Sequence, residues 1–376
     1  MIRVALIGFG KMGLSHCAII NTHPNVELVA VCDSAEYLLD IFSKYSHLKT
    51  YTNYRKLLAS EDLDAVFVAT PSRHHAEMVR AALEAGLHVF CEKPFCLDTA
   101  DGLALAELAE KKGLVNQVGY HYRFVGAFRE MKRLLDCNIL STVHHIRAEA
   151  YGPVVLRPKG RTWRTNKVEG GGCLYDYASH AIDLMNYMVG RPRAVGGTIM
   201  NRLFSGDVED EVYSNFFYAN GMTGQIASNW SDESCRKMST KISIWGTNGK
   251  IVADRQELQV YIRDLSHAPA GFNKGWNTRY TTDLTEPVWF YLRGEEYSAQ
   301  IHHFIEVIMT GKKSTLSTFR SAIDADFVAQ AMTRDSEGKA SANAHVEVVP
   351  STGRPKAPGL LGGLRHPGAR HAPISA

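Results

Sequence analysis

The sequence predicts an α/β protein of two domains: a doubly wound parallel sheet first, then an α/β unit built on a large, mostly antiparallel sheet. Three observations predict it. Short apolar runs alternate with helical periods through the first third of the chain, a G-x-G-x-x-G turn follows the first of those runs, and from about residue 142 the pattern changes to longer β-rich segments.

The 376 residues suffice for two cores, and 45% hydrophobic with 22% charged residues is ordinary globular usage. A net charge of +3 is too small to argue for nucleic acid, and a small anionic ligand fits it better. No apolar run reaches membrane-spanning length, so no membrane partner is expected. The seven cysteines (17, 32, 91, 96, 137, 173, 235) are scattered, with no C-x-x-C, which argues against a disulfide framework or a metal site. Reduced, packed thiols in the cytoplasm are the expectation.

"MIRVALIGFG" enters a strand at once, so no secretory leader is expected. The runs "IRVALIG", "VELVAVCD", "DAVFVAT", "LHVFCE" and "LVNQVGY" read as strands, and 34–45, 75–85 and 99–112 read as amphipathic helices between them. In such sheets ligands bind at the carboxyl ends of the strands, where the strand order switches. "GFGKMG" places Gly8, Phe9, Gly10, Lys11, Met12 and Gly13 there. Gly8 permits a tight turn, Gly10 lets backbone approach a pyrophosphate, and Gly13 lets the following helix pack closely, with the anion at that helix's N-terminus. Asp33 follows about 20 residues on, as a Rossmann dinucleotide fingerprint requires. A carboxylate there can bind the ribose hydroxyls of NAD and repels a 2′-phosphate, and "SAEYLL" after it offers no Arg, so NAD is favoured over NADP. The competing role for Asp33 is a cap on the helix starting near Ser34.

The run Leu87 to Cys91 breaks directly into Glu92, Lys93 and Pro94. A buried strand ending on an acid-base pair is either a solvated turn or a place of chemistry. Further on, "TVHHIRAEAY", "AVGGTIMNRLF", "EVYSNFFYA", "MTGQIASNWS", "STKISIWG", "KIVAD" and "LQVYIRD" read as strands, with hairpin turns at Asn220-Gly221 and Asn248-Gly249. Helices over 294–309 and 318–332 complete this part. Set into it is "EGGGCLYDYASHAIDLMNYMVG", a glycine run opening a helix that Gly190 can close. Asp176 and His180 share one face at i,i+4, where a carboxylate can orient an imidazole and raise its basicity, and Asp183 lies on nearly the same face. The competing reading is a surface pair worth a few tenths of a kcal/mol.

These residues are similar to those of the Gfo/Idh/MocA oxidoreductases, named for glucose-fructose oxidoreductase and inositol dehydrogenase. The resemblance rests on "GFGKMG", "ATPSRHHAEMVRAALEAGLHVFCEKP", "VGYHYRF" and "WRTNKVEGGGCLYDYASHAID", and runs from Met1 to about Met332. It implies an N-terminal Rossmann domain and a C-terminal α/β domain whose open sheet often mediates dimers or tetramers. It also implies hydride transfer between a nicotinamide and a hydroxyl or carbonyl of a sugar, inositol or sugar nucleotide. By motif, Lys93 is the catalytic lysine, Asp176 and His180 the acid-base pair, and His121 and Tyr122 fall where relatives touch substrate. Thr70, Pro71, His75 and Glu92 fall where relatives line the cofactor, and Trp163-Arg164 precede the glycine run as they often do there. "SRHH" replaces the common Asn-His-x-His, and "RFVG" the frequent R-F-N-P.

The expected domains are 1–120 for NAD, 121–349 for substrate and oligomer contacts, and a disordered Pro/Gly-rich tail over 350–376. With His180 as base and Lys93 stabilising the developing alkoxide, the same residues serve oxidation or reduction. Some relatives bind dinucleotide and sugar as sensors or regulators without turnover, and a third reading retains the cofactor around a transiently oxidised sugar. In "LRPKGRTWR", Arg157, Lys159, Arg161 and Arg164 crowd the approach to the glycine run. They favour a negatively charged substrate, such as a sugar nucleotide or acidic sugar, with Arg164 on the cofactor side; the alternative is a solvated or subunit-contacting loop.

Overall fold

The structure is a computed structural model that describes residues 1–154 and 163–339. Arg157, Lys159, Arg161 and the tail over 350–376 lie outside the described residues. The first part runs β1 (Ile2–Ile7), α1 (Lys11–Asn21), β2 (Val26–Cys32), α2 (Glu36–Ser43), β3 (Lys49–Tyr51), α3 (Tyr54–Ser60), β4 (Ala65–Val68), α4 (His75–Glu84), β5 (His88–Cys91), α5 (Thr99–Lys112) and β6 (Asn116–Val118). Its six strands form one parallel sheet in the order β3-β2-β1-β4-β5-β6. The order reverses between β1 and β4, which opens a crevice at their carboxyl ends. Every residue of β4 is fully buried, as a strand covered by helices on both faces must be.

The second part holds α6 (Gly126–Asp136), β7 (Val143–Tyr151), α7 (Ser179–Val189), β8 (Ala194–Asn201), β9 (Glu211–Phe217), β10 (Thr223–Asn229), β11 (Ser239–Gly246), β12 (Gly249–Ala253), β13 (Glu257–Ile262) and β14 (Gly275–Tyr280). The strand order is β14-β13-β12-β11-β7-β10-β9-β8, antiparallel except where β7 meets β10. β7 alternates buried Ile146, Ala148 and Ala150 with more exposed neighbours, so one face of the sheet meets the core and the other is open. α8 (Thr281–Leu284), α9 (Glu295–Thr310) and α10 (Phe319–Lys339) follow.

The last helices return to the first sheet. Phe304 of α9 sets its ring 5.4 Å from Phe67 and 6.0 Å from Phe90, and Phe319 of α10 stacks on Phe95 at 4.1 Å. Gln330 of α10 donates to the Leu97 carbonyl (3.0 Å), and Asp326 accepts from the Cys96 amide (3.2 Å). The segment that leaves β5 is therefore fastened from below by α10.

Two expectations needed adjustment. β8 ends at Asn201, not Phe204, because the buried Asp210 carboxylate captures the amides of Leu203, Phe204 and Ser205 at 2.7, 2.7 and 2.9 Å. The helix after the glycine run opens with a wide π-helical turn, Leu174–Ala178, before α7. Both hairpin turns form, with Gly221 at φ 82° and Gly249 at φ 151°.

One buried ion pair ties the helix carrying His180 to the segment after β6. Arg123 donates from Nε and Nη2 to the two carboxylate oxygens of Asp183 at 2.8 and 2.6 Å, both residues being almost fully buried. Asp183 is thereby committed to Arg123. Arg123→Ala would leave a buried carboxylate without its partner, a loss of ~3–5 kcal/mol, whereas Arg123→Met with Asp183→Leu should lose much less. Urea unfolding checks this; a single variant within about 1 kcal/mol of the parent would show that the pair does not hold the helix.

Candidate active site

The glycine turn after β1 is built as its spacing requires. Gly8 stands at φ 98°, and a Cβ there would come within 2.6 Å of the Ala69 backbone. At Gly13 a Cβ would meet the Gly8 carbonyl at 1.9 Å, so the close contact is between helix and turn. At Gly10 nothing lies within 4 Å of a Cβ position, which leaves an open approach to the N-terminus of α1. That space and the unpaired first-turn amides fit a dinucleotide pyrophosphate. Lys11 is exposed, Met12 half-buried, and Phe9 turns into the core against Phe42 with ring centroids 4.6 Å apart.

Asp33 ends β2 with its carboxylate aimed at this turn. Its two oxygens accept from the amides of Phe9 (2.6 Å) and Ala35 (2.8 Å), and no side chain caps α2. Asp33 thus braces the glycine turn instead of capping the next helix. Thr70 and Pro71 form the rim after β4. His75 lies beneath them, fully buried, its ring nitrogens against the carbonyls of Pro94 and Thr70 at 2.9 Å each. It staples two strand-end loops together and offers no nitrogen to a cofactor.

The buried strand β5 delivers Glu92-Lys93-Pro94 to the cleft, with a cis Lys93-Pro94 bond. Glu92 is buried and meets Nε2 of His16, from α1, at 2.6 Å. Burial alone would raise its pKa, but the His16 contact and the Lys93 charge hold it below the usual carboxylate value. Lys93 spans to the second part of the chain: Nζ donates to the Asp176 carbonyl (2.9 Å) and to its Oδ1 (3.1 Å). An ammonium has three N–H donors, so one remains for a ligand.

Asp176 sits in the π-helical turn, and its Oδ2 accepts from Nε of Arg164 at 2.9 Å. Burial pushes its pKa upward, yet the two cations outweigh that and keep the carboxylate ionised. The expected contact between Asp176 and His180 is not made. Both carboxylate oxygens are taken by Lys93 and Arg164, and the π turn alters the angular relation that a regular helix gives residues i and i+4. Nor does Asp183 orient His180, being held by Arg123. His180 is buried with no partner at Nδ1; burial first, and then the Lys93 charge, hold its pKa far below the ordinary imidazole value. It stands as a neutral imidazole.

His121 and Tyr122 line the same cavity, their rings 4.7 and 5.1 Å from that of His180. Burial pushes the His121 pKa down to about 3. Trp163 carries the Arg164 guanidinium over its ring at 4.7 Å. Gly171 has no room for a Cβ, which would meet the Arg164 carbonyl at 2.2 Å. The expected residues Lys93, Asp176, His180, His121 and Tyr122 thus come together, and the helix after the glycine turn reaches them through the His16 contact with Glu92, while His75 lies beneath Thr70.

Several residues of this site were not anticipated. Glu209 accepts from the Leu174 amide at 2.8 Å and so caps the helix that leads to His180. Arg255 pairs with Glu296, and Tyr297 stacks on His121 at 4.5 Å with 20° between the planes. None carries a local motif. Only His16, on the helix that follows the glycine turn and facing inward, had a signal in helical spacing.

Residues 2–120 match the oxidoreductase family profile with an NAD-binding Rossmann fold, and residues 128–252 match the GFO/IDH/MocA C-terminal domain. The chain is 27% identical over 318 residues to levoglucosan dehydrogenase of Pseudarthrobacter phenanthrenivorans, covering 74% of this chain and 80% of that protein. It is 27% identical over 270 residues to myo-inositol 2-dehydrogenase of Thermotoga maritima, covering 70% and 78%. Its fold superposes on the structure of levoglucosan dehydrogenase in complex with NADH and levoglucosan with a TM-score of 0.78 at 24% identity, over 90% of this chain and 98% of that one. With both halves matched in order and the cleft between them furnished as described, the chain belongs to the Gfo/Idh/MocA family of oxidoreductases.

Proposed function

We propose that the protein is an NAD-dependent dehydrogenase that moves a hydride between the nicotinamide and a carbinol carbon of a sugar or polyol. The observation that carries this reading is a lysine and a neutral, deeply buried imidazole in one cleft beside the glycine turn. NAD supplies the hydride acceptor. The turn at Gly8 to Gly13 and Asp33 would hold its pyrophosphate and ribose. Lys93, fixed by Asp176, directs its remaining N–H toward the substrate oxygen and stabilises negative charge developing there. His180 takes the hydroxyl proton on a ring nitrogen, a step open to it because the surroundings keep the ring uncharged. In the opposite direction it returns the same proton. His121, Tyr122 and Tyr297 exclude water around the reacting carbon.

Relatives named levoglucosan and myo-inositol dehydrogenases support a cyclic polyhydroxy substrate. The presence of both Lys93 and His180 favours turnover over a sensor that only binds NAD and sugar. The open face of the second sheet exposes Trp276 and Tyr261, ring centroids 5.4 Å apart, with Tyr280 and Phe217, which supports a homo-dimer or tetramer through that face. No described helix is long and apolar enough to cross a membrane, and reduced thiols fit the cytoplasm.

Steady-state kinetics with NAD and a panel of sugars and inositols tests this reading. Lys93→Ala and His180→Ala should each lower kcat at least ~100-fold. Because the His180 pKa is depressed, the neutral base persists on acidification, and kcat/KM for alcohol oxidation should show no limb at the ordinary imidazole value of 6.5. A His180→Ala enzyme of normal rate would move the base elsewhere. Light scattering should give a dimer or tetramer, and a monomer would remove the sheet-face contact.

A further inference from the structure

At the substrate end of the cleft, the backbone of Arg293 stands at φ 68°, a left-handed conformation that a large side chain rarely adopts. Gly294 follows at φ 140°, leading into α9. Such a turn persists only where its surroundings over-determine it. Here they do: Arg255 pairs with the buried Glu296 carboxylate, and its Nη2 approaches the Arg293 carbonyl at 3.5 Å. The pair of half-buried Arg255 with buried Glu296 therefore holds the turn, and the side chain it presents is Arg293.

That side chain leads back to the reaction centre through two aromatic rings. The Arg293 guanidinium lies 5.3 Å from the centroid of the Tyr297 ring. Tyr297 stacks on His121, which lies 4.7 Å from His180. The other cations near the centre have carboxylate partners: Lys93 and Arg164 share Asp176, and Arg255 holds Glu296. Arg293 has no carboxylate partner among the described residues. It is exposed, hydrogen-bonds to Tyr297 and has further guanidinium N–H donors for solvent or ligand.

We propose that Arg293 is a specificity residue that receives an anionic substituent of the substrate, so that the sugar or polyol turned over here carries a carboxylate or a phosphate. The proposal rests on the dehydrogenase reading and narrows its substrate class. With the reacting carbinol at Lys93 and His180, an acidic group on the far side of one sugar ring falls toward the guanidinium, which binds either oxyanion through two parallel hydrogen bonds. The glycine turn and Asp33 are left to the dinucleotide.

The test uses the full chain with aldohexoses, their uronic acids and their 6-phosphates, read both by NAD reduction and by thermal shift in the presence of NADH. The acidic members should raise Tm and give a kcat/KM at least tenfold above their neutral counterparts; whether the uronic acids or the phosphates lead identifies the anion. Arg293→Gly removes the cation at a position whose φ suits glycine, so the unliganded Tm should hold. In that variant the acidic-to-neutral ratio of kcat/KM should fall at least tenfold, carried by KM, and the Tm gain should vanish. A panel in which neutral sugars are preferred, or in which Arg293→Gly leaves the ratio and the Tm gain intact, overturns the proposal, as does a panel in which no acidic member raises Tm. Acidic members that raise Tm in the parent but not in Arg293→Gly, with no hydride transfer from any sugar, would overturn the dehydrogenase reading and leave the anion subsite standing.

Discussion

The ion pair between Lys93 and Asp176 is the constraint on which the cleft depends. It joins the end of a buried parallel strand to the wide turn that opens the helix of the second part, so each half supplies one member. Taking two charges out of water is costly, and the pair stands because Arg164 adds a second cation to the same carboxylate. The lysine that results is rigid, charged and left with one donor. A flexible surface lysine would have to be ordered at the moment of reaction; this one is ordered beforehand.

The same arrangement sets the state of His180. Burial first, and then the nearby Lys93 charge, disfavour a second cation on its ring. A carboxylate partner on the imidazole would act the other way, drawing a proton onto it. By tying Asp176 to Lys93 and Asp183 to Arg123, the fold keeps both carboxylates off His180 and leaves its ring uncharged at rest. Its uncharged state is thus set by what surrounds it, not by a partner that orients it.

Much of this was legible in the sequence because it depends on local spacing. The glycine turn, Asp33 and the Glu92-Lys93-Pro94 strand end follow from the regular repeat of strand and helix, and the alternation in the second half announces its sheet. Asp176 and His180 were paired by the i,i+4 rule, which assumes a regular helix, and the π turn together with two cations from distant segments overrode it. His75, which by motif falls where relatives line the cofactor, has its ring nitrogens against two backbone carbonyls under the rim, a contact that spacing alone does not announce. β3, of three residues, and β14, whose "GWNTRY" alternates little apolar surface, carry too weak a period to be read alone. Arg255, Glu296 and Tyr297 reach the site only through tertiary packing.

The central claim is that Asp176 acts through Lys93 and not through His180, and a double-mutant cycle measures it. Lys93→Ala, Asp176→Asn and the two combined are compared in kcat on one substrate, with cofactor saturating. If the carboxylate serves only to hold the lysine, the double variant should lie within ~3-fold of Lys93→Ala, since a residue already removed cannot be misplaced. Losses that multiply would mean that Asp176 works on the substrate or on His180 independently, and would contradict a role confined to holding the lysine.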